Sequence, residues 1–175
     1  MLRATLPVTL RPASASDEAF LFTLYASTRE GEVAMWGWAP AQRDTFLRMQ
    51  WMAQGRDWAT RYAGADHRVV LVNGAPAGRL LVARGVKEWR LVDIALLPAH
   101  RRAGVGTRLL RELLDEAAKA HVPLRLRVLS ASPARALYER LGFRPEPASA
   151  PATPAPMTDA DPYLAMEWLP GPRGG

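Results

Sequence analysis

Sixteen residues near the middle of the chain restrict what the rest can be. Leu91-Val92-Asp93-Ile94-Ala95-Leu96-Leu97 is an almost continuous apolar run stopped by Pro98, as expected of a central strand buried on both faces. Arg101-Arg102-Ala103-Gly104-Val105-Gly106 follows, and then Leu109, Leu110, Leu113, Leu114, Ala117 and His121 recur at helical spacing as far as Pro123. A strand that passes through a glycine-spaced turn into a helix brings free backbone amides and the positive end of the helix dipole to one place. Glycine there lets the backbone turn tightly and approach a ligand closely. With Arg101 and Arg102 adding positive charge, the segment predicts a cradle for a pyrophosphate.

The flanking sequence supplies the matching elements. Val8-Thr9-Leu10-Arg11 alternates and stops at Pro12, which suits a short strand. Ser16-Asp17-Glu18 starts a helix, with Ser16 as its cap and Phe20, Leu21, Leu24 and Tyr25 on its apolar side. Thr28 to Pro40, with Gly31, Gly37, Trp36 and Trp38, reads as a loop, and a second helix runs from about Ala41 to about Gln54. Val69 to Val72, Asn73-Gly74 and Gly78 to Ala83 predict a hairpin, since Asn-Gly is a strong turn signal. Leu124 to Leu129 alternates as a strand, and Ser132-Pro133 opens a helix carrying Leu137, Tyr138 and Leu141 and closed by Gly142. Strands alternating with helices in the second half predict an α/β architecture with a partly parallel sheet, and the hairpin makes that sheet mixed. Pro145 to Pro156 is almost all Pro, Ala, Ser and Thr. A flexible Pro/Ala-rich loop is expected over about 145–160, a last strand over Tyr163 to Leu169, and a disordered tail over 171–175.

Three phosphate loops share this outline. A Walker loop needs Gly-Lys-Ser/Thr, but Gly106 is followed by Thr107-Arg108. A dinucleotide fingerprint needs a third glycine where Leu109 stands. What remains, Arg101-x-x-Gly104-x-Gly106, resembles the acyl-coenzyme A loop of the GNAT superfamily of N-acetyltransferases. Two further segments carry the same resemblance. Ala136-Leu137-Tyr138-Glu139-Arg140-Leu141-Gly142-Phe143 is similar to the family's tyrosine-bearing helix that ends at Gly-Phe. Asp93 to Pro98 is similar to its fourth strand. The order of elements matches from about Val8 to about Leu169, so the resemblance implies one domain over 1–170. Its fold would be α/β, with a mixed, mostly antiparallel sheet whose central parallel strands splay, flanked by helices.

The resemblance also implies roles. Main-chain groups of Ile94, Ala95 and Leu96 would pair with the pantetheine arm of acetyl-coenzyme A, lying beside the strand like an added one. The amide near Leu96 would stabilise negative charge developing on the thioester carbonyl. Amides of Arg101, Arg102, Ala103, Gly104, Val105, Gly106 and Thr107 would hold the pyrophosphate. Tyr138 matches the tyrosine that protonates the departing thiolate. Many members carry an asparagine where this chain has Ala131 and Ser132. Ser132 could offer its hydroxyl to the pantetheine, or simply cap the next helix. Asp93, alone in an apolar strand, either bridges a neighbouring arginine or serves as general base. Glu30 and Glu32 are the other candidate bases, and Trp36 and Trp38 fall in the family's acceptor-binding region, where aromatic rings beside acids suit an ammonium group. Packing alone would suit them as well.

Charge and composition narrow the alternatives. The chain of 175 residues has 23 basic and 17 acidic side chains, and ten basic against four acidic ones lie between Arg101 and Arg144, so the whole excess of six sits there. Such a block can hold a polyphosphate, or be a solvated face. Nucleic acid is disfavoured, because no stacking aromatics interleave with these arginines. Cysteine is absent, which excludes thiol nucleophiles and disulfides. His67, His100 and His121 lack metal-ligand spacing, so no metal is expected. No apolar run reaches the roughly eighteen residues of a membrane span, and Met1 to Pro7 lacks the apolar core of a signal peptide. A cytoplasmic enzyme is therefore expected, monomeric or homodimeric, that acetylates a primary amine on a small molecule or peptide by direct attack. The alternative is a weakly catalytic acyl-coenzyme A sensor or partner module.

Overall fold

Asn73 and Gly74 have φ of 52° and 76°. Both central positions of the turn are left-handed, as a two-residue hairpin turn compatible with strand twist requires. They join β2 (Asp66–Val72) to β3 (Ala75–Arg84). The structure is a computed structural model that describes residues 6–147 and 162–172. β1 (Val8–Pro12) lies antiparallel to β2, Val8 opposite Val72. β4 (Trp89–Leu96) runs parallel to β5 (Leu124–Leu129), and β5 is antiparallel to β7 (Tyr163–Trp168), which also pairs with β6 (Arg144–Pro145). The seven strands take the order β1-β2-β3-β4-β5-β7-β6. Helices α1 (Glu18–Ala34), α2 (Pro40–Arg61), α3 (Val105–Ala120) and α4 (Ala134–Arg140) connect and flank them. This is the expected mixed, mostly antiparallel sheet with one central parallel pair.

The chain forms two compact units, Met1–Ala83 with Asp93–Gly106, and Arg84–Val92 with Thr107–Gly175. The first is built on Leu24, Val69, Val70 and Val82, and the second on Leu110, Leu113, Leu124, Leu126 and Met166, all fully buried. β4 changes unit at Asp93. Among the described residues its parallel pairing with β5 is confined to Trp89↔Leu124 and Arg90↔Arg125.

Four expectations need correcting. β4 is not buried on both faces: only Leu91 is fully buried and the residues from Val92 to Leu96 are half-buried. The apolar run reflects a strand that loses its β5 partner after two residues. The first helix does not start at Ser16. Ala15–Asp17 is a 3-10 turn, and Asp17 takes the N-cap of α1 with its carboxylate on the Ser14 amide at 2.8 Å. Thr28 to Pro40 is not all loop, because α1 continues to Ala34 with Val33 buried, and α2 runs on to Arg61. Burial of one face outweighs the ~1 kcal/mol that Gly31 costs inside a helix. Finally, Pro145 belongs to β6 and the Glu146 amide bonds the Ala165 carbonyl at 2.9 Å. The rest of the expected loop, 148–161, and the end of the tail, 173–175, lie outside the described residues.

Candidate active site

The first unit holds β4 from Asp93 onward together with the glycine loop. Leu97 donates its amide to the Ala77 carbonyl at 2.8 Å, Pro98–His100 makes a single 3-10 turn, and Arg101 returns to extended backbone. Arg102 (φ 60°) and Gly104 (φ 80°) are both left-handed. Gly104 would place a Cβ in open space, so glycine is needed there for its backbone angle and not for room. Amides around two left-handed residues, leading into the first turn of α3, are donors of the kind that suits an anion. Arg101 to Gly104 are exposed. The loop therefore fits a pyrophosphate by the chemistry of its donors.

Arg101 departs from its expected use. Its Nε donates to the Leu96 carbonyl at 2.9 Å and its Nη2 to Ser27 Oγ at 3.3 Å, so the guanidinium is folded back on the strand end. Other basic residues of the block are neutralised locally. Arg108 pairs with Glu112 and Arg135 with Glu139 within their helices, while Arg125 bonds Glu88 at 2.8 Å. These three arginines belong to a paired surface.

Ile94, Ala95 and Leu96 are half-buried. Sequence reasoning missed what lies beside them. A Cβ on Gly78 would collide with the Ala95 carbonyl oxygen and the Leu96 side chain, so β3 and β4 approach more closely here than any larger residue permits. A glycine inside a strand pattern was the available signal. Asp93 accepts from Arg79 Nε at 2.8 Å, and Arg79, 6% exposed along its side chain, lies 4.8 Å over the Trp58 ring. This carboxylate is an ion-pair partner, the structural alternative of the two weighed for it.

The other candidate bases stand on α1, not in a loop. Glu32 takes Arg29 Nε at 2.7 Å, and Arg29 also donates to Tyr25 Oη at 2.9 Å. Glu30 lines a small cavity with Arg43 and Asp44. Trp36 and Trp38 meet at a tilt with centroids 4.9 Å apart and both meet Phe46 edge-on at 5.3 Å, so the rings pack together while Trp38 stays exposed.

The second unit carries Thr107, Ser132 and Tyr138. Ser132 Oγ accepts the Ala134 amide at 3.2 Å, the bond of a helix-start cap. Tyr138 is buried and packs edge-to-face on Phe143 with centroids 5.6 Å apart.

Residues 63–145, from the turn after α2 to β6, match the family model of the acetyltransferase (GNAT) domain. No curated protein matches the sequence. Among solved structures, the chain is similar to the PaiA N-acetyltransferase of Thermoplasma acidophilum in complex with coenzyme A. Identity is 16%, with 94% of this chain and 99% of that one covered and a TM-score of 0.65. It is also similar to the ribosomal-protein-S18-alanine N-acetyltransferase of Escherichia coli, at 24% identity, 96% and 97% coverage and a TM-score of 0.61. At such identities the likeness shows the fold, which extends over α1 and α2 beyond the matched domain. Among the described residues no helix is long and apolar enough to cross a membrane. Fold, glycine loop and domain match agree: residues 63–145 carry a GNAT acetyltransferase domain, and the protein is an acyltransferase of that fold.

Proposed function

We propose that the chain transfers an acetyl group from acetyl-coenzyme A to a primary amine that attacks directly, with residues 1–170 working as one domain. The observation that carries this is the succession of half-buried β4 end, left-handed Arg102 and Gly104, and α3 start inside the matched acetyltransferase domain. Acetyl-coenzyme A supplies an acetyl group already activated as a thioester. The backbone of Ile94, Ala95 and Leu96 binds the pantetheine arm along the strand edge. The Leu96 amide donates to the thioester carbonyl oxygen, where negative charge develops. Amides from Arg101 through Thr107 hold the pyrophosphate, and Ser132 keeps its hydroxyl for the helix start. Tyr138 holds a proton on Oη, as a phenol ordinarily does at neutral pH, and gives it to the departing sulfur, while the proton shed by the attacking nitrogen passes to water and the phenol is restored from water. Holding amine and thioester in one orientation supplies much of the remaining rate.

Tyr138→Phe tests the reading, because it keeps the ring on Phe143 and removes only the hydroxyl. Coenzyme release is followed with a panel of primary amines: polyamines, amino acids, aminoglycosides and peptide N-termini. The wild type turns over at least one of them, and the variant falls roughly ten- to a thousand-fold, the range for losing an acid catalyst, with coenzyme affinity unchanged. Equal turnover would make Tyr138 structural. Tight coenzyme binding without turnover of any amine would remove the transfer assignment.

A further inference from the structure

The first unit contains a cavity of about 750 Å³ whose wall includes none of the residues assigned to the coenzyme. It exists because small residues, Gly55, Ala59, Ala63, Gly64 and Ala65, occupy the end of α2 and the turn after it. A Cβ built on Gly55 would meet nothing within 4 Å. Its body is apolar and aromatic, with Leu21, Trp51, Trp58, Tyr62 and Leu81 around it. Two polar atoms of the lining, Gln54 Oε1 and His67 Nε2, are buried and have no hydrogen-bond partner among the described residues. Buried polar atoms in proteins are almost always bonded, and an unmet one is a cost that a ligand can remove.

The charges choose the ligand. Arg79 at the cavity wall is already paired with Asp93 and already covers one face of Trp58, so an entering cation meets a fixed positive group. Burial, and then the charge of Arg79, lower the pKa of His67, which favours the neutral imidazole. An anion would have to shed water beside a guanidinium whose charge Asp93 already balances. We propose that this cavity is a binding site for an uncharged aromatic molecule bearing a hydroxyl or ring N–H. The ring fills the space between Trp51, Trp58 and Leu81. The donor reaches Gln54 Oε1, and the oxygen of a hydroxyl can accept from His67 Nε2 in the tautomer that carries its proton there. The inference stands apart from the acetyl-transfer reading and needs no coenzyme.

Calorimetric titration of the full chain tests it with three probes of similar size: p-cresol, 4-methylanisole, in which the same hydroxyl is methylated, and 4-methylbenzylammonium. p-Cresol should bind saturably, and 4-methylanisole roughly five- to tenfold more weakly, the worth of one hydrogen bond. Gln54→Leu should erase that difference by weakening p-cresol alone. Ala59→Phe, which fills the cavity from α2, should abolish both while the melting temperature holds. Absence of saturable binding by p-cresol overturns the proposal. So does equal affinity for the methylated probe in the wild type, tighter binding of the ammonium, or binding that survives Ala59→Phe in a folded variant.

Discussion

Helices α2 and α3 are both rich in large apolar residues, and they use them differently. α3 places Val105, Leu109, Leu110, Leu113, Leu114 and Ala117 on one stripe, and every one is buried. α2 is longer, at 22 residues, and buries only Leu47. Its Trp51 meets Phe22 of α1 edge-on at 5.5 Å and Leu47 joins the Phe22, Tyr25 and Val33 cluster. Its Trp58 lines the cavity, and Met49 and Met52 are 66% and 52% exposed. A single stripe specifies burial against one layer. Apolar residues spread around a helix leave surface for something else, and here part of that surface encloses a space. One helix spends its side chains on the core, the other on a pocket and an outer face.

The sharpest way to break the comparison is to cut equally sized holes in it. Leu113→Ala should cost about 2–5 kcal/mol, because the site is fully buried and the cut leaves a cavity there. Denaturant unfolding reads this as a lower midpoint at constant slope. A loss under ~1 kcal/mol would mean that α3 is no better packed than α2.

The second prediction concerns what leads into α3. Gly104→Val puts a β-branched residue at φ 80° with no clash to relieve, so the cost is backbone strain of about 1–3 kcal/mol, or a loop that changes shape. Coenzyme binding by calorimetry should be lost while the protein still unfolds cooperatively. Unchanged affinity would move the phosphate site elsewhere.

Much of this was readable from the sequence where local chemistry decides the outcome. Asn73-Gly74 forces its turn, and the α3 leucines face one way at any register. The α1 boundary was not readable. Gly31 and the two tryptophans are loop signals locally, and only burial of Val33 shows that the helix continues past Gly31 to Ala34. Within the site, the glycine loop could be read because its function rests on backbone angles that glycine announces. Asp93 was recognisable as a problem, but its solution was not: Arg79 lies fourteen residues away, and the pairing follows from how β3 sits against β4. The cavity could not be read at all. It is a space defined by which side chains fail to meet, and no local pattern encodes that.

The third prediction compares how helices are anchored. α1 is tied at its start by charge, where α3 is tied by burial. Arg11 grips Asp17 through both guanidinium nitrogens at 2.8 and 2.7 Å, and that contact first, then the Ser14 amide, holds the Asp17 carboxyl well below the usual carboxylate range. A carboxyl whose pKa is lower folded than unfolded adds stability that is complete above its unfolded value, about 4, and fades as pH falls below it. Asp17→Asn should therefore destabilise at neutral pH, and the gap from wild type should close as pH drops below about 4. A gap independent of pH would mean that the contact is steric.

The smallest effect is expected at Met49, on the outer face of α2. The side chain is two-thirds exposed, and its neighbour Phe46 is held by Trp36 and Trp38 on its own side. Glutamine has a similar length and a similar helix propensity, so Met49→Gln changes little except polarity. Surface substitutions of this kind usually fall within about 0.5 kcal/mol. Denaturation of the variant should match wild type within that margin, at least fourfold less than Leu113→Ala. The concentration dependence of the melting temperature makes the test two-sided. If the wild type melts higher at higher concentration and Met49→Gln abolishes that rise, the outer face of α2 is covered by a second copy in solution. Its exposed methionines then form an interface, and the contrast with α3 lies in which layer buries each helix: the chain's own, or a partner's.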